Sequence, residues 1–411
     1  MNQTVTAPSI PQLSDNPNLL DITGWKGNFV AVHTLATHAG VNLNRDMDGL
    51  PKTITLGGVT RMRLSAASRV RAARTYARNY TEKTDQASAR SRLLPQEIAR
   101  YLVKSHDLDV KKAEALAVYI VHAAGMSIDA SQPDRTRAIT YLPETAVVRL
   151  GQLVLDVESE HTDAIEATQQ AISAHQATLT EGKRGKKKDL PALPEVPKAL
   201  TAAARTQFAP GVCAEIALFG RMLSELPGGQ VYSAVQVAHA IGVDEMEMIT
   251  DDFTVVDDWQ DFGVFGSANQ GQHYLASGTV YSYAALDRRT LRATLANGVQ
   301  DPDELERLAQ WAEQLFVTSI AYAVPGGKRS RTGPAMLPTL VLAATTDQPM
   351  TAAPAFEEAI TGPAGVEASR RLCAYLNNAQ SRAPLHGGKA LWLSPLGEDA
   401  PTMPSAITLD A

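Results

Sequence analysis

Residues 60–78, TRMRLSAASRVRAARTYAR, hold six arginines in nineteen positions. An arginine presents a planar fork of N–H donors that matches phosphate oxygens, and it stays charged at any ordinary pH. The chemistry this cluster can do is therefore the grip of a polyanion rather than proton transfer. Arg45 and Lys52 lie just upstream, and no acid between residues 49 and 81 is present to pair with any of these cations. Contacts to a nucleic-acid backbone follow, and such contacts tolerate any base sequence. No aromatic pattern suited to stacking bases on a sheet accompanies them.

Other candidate chemistry is thinner. VPGGKRSR (324–331) has a Gly-Gly turn followed by Lys328, Arg329 and Arg331. It lacks the first glycine of a phosphate-binding P-loop, and Arg329 stands where Ser or Thr would hold magnesium. The turn still suits a phosphate. Asp46 and Asp48 flank Met47 in a polar stretch and offer carboxylates, with no legible histidine or lysine partner. His33, His38 and His239 sit in apolar stretches and read as structural. The Asp251–Asp252 and Asp257–Asp258 pairs read as a solvated or docking face. No GxSxG, HExxH or EF-hand pattern occurs. We therefore expect no catalytic residue, no metal and no cofactor.

These residues need elements to position them. NFVAVHTLATH (28–38) reads as a strand, and 41–58 as a loop closing in a turn. In TRMRLS, arginine alternates with Met62 and Leu64, which predicts a half-buried strand with Arg61 and Arg63 facing outward. Ser65 can cap the helix that follows. There Arg71, Arg74 and Arg78 share one face, opposite Val70, Ala73, Tyr76, Ala77 and Tyr80. Residues 95–205 read as helical, with a basic Gly- and Pro-rich connector at 181–198. From 210 onward, GVCAEIALFGRM, VYSAVQVAHAIGV, QHYLASGTVYSYAAL and AMLPTLVLAAT read as strands, around a helix at 301–323 with an acidic first turn. This order predicts an α+β fold with a ferredoxin-like sheet.

Composition sets limits. A chain of 411 residues with 44% hydrophobic content has enough apolar surface for a large core. Its apolar runs are too short to span a bilayer, so no membrane partner is expected. Two distant cysteines and a leader without an apolar h-region fit a cytoplasmic location. The net charge of −6 conceals segregation: residues 59–104 carry eleven Lys/Arg against three Asp/Glu, and residues 243–261 carry eight acids and no base.

Several stretches together resemble one family. VHTLATHAGVNLNRDMDGLPKTITLGGVTRMRLSAASRVRAAR is similar to the N-terminal region of the CasC family, the repeated backbone subunit of the type I-E CRISPR surveillance complex, Cascade. IALFGRM (216–222), VQVAHAIGV, DFTVVDD, GSANQGQHYLASGTVYSYAALD and VPGGKR follow in the family's order. The resemblance implies a modified RNA-recognition-motif palm, a helical fingers insertion and a thumb. It implies a flexible leader at 1–26, palm at 27–80, 205–241 and 274–395, fingers at 81–204, thumb at 242–273 and a tail at 396–411. It also implies copies stacking on a guide RNA that pairs with target DNA, other Cascade subunits beside them, and cutting by a separate recruited helicase-nuclease. The RNA-facing set is then Arg45, Lys52, Arg61, Arg63, Ser65, Ser68, Arg69, Arg71, Arg74, the Gly220–Arg221–Met222 turn, Lys328 and Arg329. The family's Ser-Ser-Gln-x-x-Lys-Arg run is here Ser65-Ala66-Ala67-Ser68-Arg69-Val70-Arg71, with Arg69 offering the charge that Val70 lacks. The alternative from another class is a guide-dependent, metal-using ribonuclease, as in type III backbone subunits, with Asp46 or Asp48 in the site.

Overall fold

A computed structural model describes residues 19–81, 84–180, 190–211, 213–255, 269–382 and 390–393. In chain order the elements are β1 (Phe29–Val41), β2 (Thr53–Leu56), β3 (Val59–Leu64), α1 (Ala66–Thr81), β4 (Ser88–Ser91), α2 (Leu94–His106), α3 (Val110–Ala123), β5 (Ile128–Asp129) and β6 (Gln132–Thr136). There follow β7 (Thr140–Pro143), α4 (Thr145–Asp156), α5 (Thr162–Thr180), α6 (Lys198–Thr206), α7 (Ala214–Phe219), β8 (Val235–Val237), β9 (Ala240–Gly242), β10 (Glu247–Val255) and β11 (Asn269–Asp287). The last are α8 (Arg288–Leu295), α9 (Pro302–Tyr322), α10 (Arg329–Thr332), β12 (Leu340–Thr346), α11 (Ala364–Arg382) and β13 (Ala390–Leu393).

The chain divides into two compact units. The first comprises Thr81–Ala234 and Thr290–Ala309; the second comprises the described residues up to Tyr80, Val235–Arg289, and those from Gln310 onward. The fold is thus mixed α and β, with the main antiparallel sheet in the second unit. Its strand order is β13-β12-β1-β11-β9-β3-β2, with β8 and β10 also pairing β11. β1 is central: rich in β-branched and apolar residues and buried from Val30 to Leu35, it pairs with β11 from Phe29↔Asp287 to Thr37↔Thr279, and with β12 from Phe29↔Thr346 to Leu35↔Leu340. Leu35, Tyr281, Leu340, Leu342, Phe356 and Leu372 pack one side of this sheet into a core. The outer half of β11 leaves β1 and forms a long ribbon with β10, Glu247↔Ser277 to Val255↔Asn269, most of whose β10 side chains are exposed.

The first unit has a helical core around Leu102, Leu116, Ile120, Leu150 and Phe208. Asp109 caps α3 by accepting the Lys111 and Lys112 N–H groups. Two small two-stranded sheets form here, β4–β7 and β5–β6, and β5, β6 and β7 interrupt the stretch 95–205 that periodicity reads as mostly helical. GVCAEIALFGRM is another correction: Ala214–Phe219 is a helix, not a strand. A short run that is apolar apart from Glu215 cannot separate the two states, and a six-residue helix is too short to display a period. It ends at Gly220, whose φ of 71° suits glycine and where a Cβ would lie 2.7 Å from the Ser233 nitrogen.

Other expectations meet the structure unevenly. Of the expected leader, residues 19–26 are described, and Leu19, Ile22 and Trp25 are buried in the second unit. Residues 205–234, assigned to the palm by resemblance, lie in the first unit with the helices. Residues 1–18, 181–189 of the basic connector, 256–268 of the expected thumb (with Asp257 and Asp258) and the tail 396–411 lie outside the described residues. No helix of the described residues is long and apolar enough to cross a membrane.

Candidate nucleic-acid interface

The basic site is built in the second unit on the junction of β3 and α1. Ser65 caps α1: its Oγ accepts the Ser68 N–H at 3.3 Å and its carbonyl accepts the Arg69 N–H. Its own N–H donates to Asn44 Oδ1 at 2.9 Å, which ties the cap to the loop after β1. That loop is stiff. Asp46 Oδ1 accepts the Asp48 and Leu50 N–H groups, and the Asn42 amide donates to the Gly49 and Tyr274 carbonyls. Arg45 and Met47 project from it into solvent. Lys52 leaves the loop half-buried, its N–H donating to the Asn44 carbonyl while its own carbonyl accepts the Arg63 N–H.

The Gly326–Gly327 turn closes on the same loop. A Cβ on Gly327 would lie 2.3 Å from the Leu43 carbonyl oxygen, so only glycine permits this approach. The turn delivers Lys328, in a left-handed conformation (φ 48°), and then Arg329 and Arg331, both exposed, on the one-turn helix α10.

His273, from the outer half of β11, stands between these cations. Lys328 Nζ is 3.0 Å from its Nδ1, and Arg331 contacts its Nε2. A neutral imidazole has one acceptor nitrogen, so it cannot satisfy both donors at once. Burial, then the positive charges of Lys328 and Arg331, push the His273 pKa down; Asp251, its cross-strand neighbour, opposes this. Burial, Arg45 and Arg331 likewise push the Lys328 pKa down. Phe253 stacks on His273 with ring centroids 4.4 Å apart, and the Arg331 guanidinium lies over Phe253 at 5.8 Å. Two cations, Lys328 and Arg331, contact one imidazole, Arg45 acts on Lys328, and Asp251 is the carboxylate that acts on both His273 and Lys328. This site has fewer acceptors than donors.

The sequence-nominated arginines divide. Arg71 is exposed on α1, Arg74 is half-buried, and Ser65, Ser68 and Arg63 are partly exposed. Arg63 donates to the Thr53 carbonyl and lies 3.2 Å from His239 Nδ1. Three others are buried, which corrects the expectation that Arg61 faces outward. Arg61 is fully buried, donating to the Leu56, Gly242 and Glu357 carbonyls. β3 is covered on both faces there, so alternation does not bring Arg61 to solvent. Arg69 is 7% exposed, and its guanidinium lies near Tyr281 with Nη1 unpartnered. Burial lowers its pKa to about 10. In the first unit Arg221 is 4% exposed and donates to the Gly229 and Phe208 carbonyls, whereas Met222 is 80% exposed.

Asn44, Phe253 and His273 join the site without having been nominated. The register that places Asp251 opposite His273 is the signal that could have found the last two. His33 and His38 are both buried, and His33 bonds the Tyr281 hydroxyl at 2.9 Å. Among the described residues no group of three or more His, Cys, Asp or Glu is placed to hold a metal ion.

Comparison with known proteins adds three findings. No curated protein matches the chain. Among solved structures, a chain described as "CRISPR RNA-guided surveillance complex, pre-nicking" is similar, with a TM-score of 0.70, 28% identity, and coverage of 93% of this chain and 95% of that one. A second, described as "CRISPR RNA-guided surveillance complex", has a TM-score of 0.61, 25% identity and the same coverages. A family model described as "CT1975-like protein" matches residues 30–397. The chain therefore belongs to the CT1975-like protein family.

Proposed function

We propose that this chain is a non-catalytic backbone subunit of a CRISPR surveillance complex of type I-E. In this reading copies stack head to tail on a guide RNA, grip its backbone and present it for pairing with invading DNA. The sheet of the second unit is its RNA-recognition-motif palm, the helical unit its fingers and the β10–β11 ribbon the base of its thumb. The complex is cytoplasmic, other Cascade subunits complete it, and a recruited helicase-nuclease cuts. Base pairing then reads sequence while protein reads backbone and shape.

The observation that carries this reading is the convergence of Lys328 and Arg331 on His273, with Arg45 acting on Lys328 and the Ser65 cap of α1 tied to the same loop. The likeness to surveillance-complex chains over most of both lengths supports it. The test is fluorescence anisotropy with a labelled single-stranded RNA across a salt series. Log affinity should fall with log salt by about 0.7 for each phosphate neutralised. The Arg45→Ala/Lys328→Ala double variant should weaken binding of every RNA sequence and flatten that slope. RNA should stay intact in magnesium. A salt-independent affinity, or cleavage lost in Asp46→Ala, would overturn the proposal.

A further inference from the structure

The helical unit holds a pocket that the RNA-binding reading leaves unused. It has a volume of about 350 Å³ and lies between α2, α3, α5 and the β5–β6 hairpin. Pro95 and Ala99 of α2, Val118 of α3 and Ile172 of α5 form an apolar wall, and all four are buried. Glu114 of α3 and Asp134 of β6 bring two carboxylates to the same cavity.

The carboxylates are only partly compensated: Lys111 acts on Glu114, and Arg135 forms an ion pair with Asp134. Burial, and next the negative charge of Asp134, push the Glu114 pKa up, and its side-chain hydrogen bond is to the uncharged Gln176 amide. Asp134 has the guanidinium of its neighbour Arg135 at 3.8 Å, beyond hydrogen-bond reach. A pocket with an apolar wall and two convergent acids is complementary to one cation on an aliphatic stem. Both acids line one cavity, which marks a single cationic position. A free polyamine would need acids at two separated positions.

We propose that this pocket receives one lysine or arginine side chain presented by another protein: the stem covers the apolar wall and the cation sits between Glu114 and Asp134. The pocket lies wholly in the first unit and shares no residue with the basic site, so it stands or falls apart from RNA binding.

The test is methyl NMR of the full chain labelled at Ile and Val, titrated with acetyl-Gly-Lys-Gly-amide and acetyl-Gly-Arg-Gly-amide. Saturable shifts at Ile172 and Val118 are expected. The peptide with norleucine in place of lysine should leave both methyls unmoved. Glu114→Gln, which keeps volume and the amide contact, should weaken the lysine peptide about tenfold, and Asp134→Asn, at an exposed position, should do likewise without lowering the melting temperature. Four outcomes overturn the proposal. One is no saturable shift in the folded wild type. A second is equal binding of the norleucine peptide, which would mean an apolar groove. A third is tighter binding of spermidine than of the lysine peptide. The fourth is shifts that grow with protein concentration alone, which would place a second copy of this chain in the pocket.

Discussion

At the residue scale, charge and exposure part company. Arg69 is the arginine its motif nominates, yet it sits against Tyr281 under the sheet surface. A buried cation with an unpaired N–H is weak evidence of stabilisation, and an apolar side chain of similar volume is often as good or better. Arg69→Met is therefore expected to leave the urea midpoint unchanged or to raise stability by about 1 kcal/mol, with RNA affinity within about twofold of wild type. Arg71→Ala, one turn of charge lost from the exposed face, should weaken RNA in the same assay. Loss of RNA affinity in a stable Arg69→Met would reverse the assignment. The sequence pattern could not have separated these two arginines. Helical spacing puts residues on faces, but what covers a face is set by strands far away in the chain. Arg61 makes the same point: its carbonyl partners Gly242 and Glu357 are 181 and 296 residues distant.

At the element scale, long patterned segments were legible and short ones were not. β1, α1 and α9 follow from a β-branched, apolar run, a serine cap with a helical period, and an acidic first turn, each in a long segment. β5, β6 and α7 have two to six residues each, and the residues around them are polar or uniformly apolar. The Gly-Gly turn was legible as a phosphate-suited feature, but its partner loop was not. The two glycines of the turn now make opposite predictions. A Cβ on Gly326 meets nothing within 4 Å, whereas one on Gly327 collides with the Leu43 and Asn42 carbonyls. Gly326→Ala should bind RNA as wild type does. Gly327→Ala should push the turn off the loop, carry Lys328 and Arg331 away from His273, and cost about 1–3 kcal/mol of stability. Its RNA affinity should fall as far as that of Lys328→Ala. Equal behaviour of the two alanine variants would show that the turn does not depend on close approach.

At the scale of the whole molecule, the two units carry different titrating groups. His33 and His38 of β1 belong to the second unit, and burial depresses both pKa values to about 4. Unfolded, each would titrate near 6.5. The unfolded chain therefore binds protons first as pH falls. Stability is fully present above pH 6.5 and is lost between there and about pH 4, by about 3 kcal/mol for each imidazole. The first unit contains Glu114, whose raised pKa works in the other direction, since protonation favours its folded state. The described tryptophans, Trp25, Trp311 and Trp392, fall in the segments of the second unit. Tryptophan fluorescence is thus weighted towards that unit, while far-ultraviolet circular dichroism is weighted towards the helical one. At pH 7 the two urea transitions may be compared directly with those at pH 4.5, where the fluorescence midpoint should have moved to much lower urea and the dichroism midpoint much less. His33→Gln, which keeps a donor for Tyr281, should remove part of the fluorescence shift. Coincident transitions at both pH values would mean that the units unfold as one and that the histidine cost is shared across the chain.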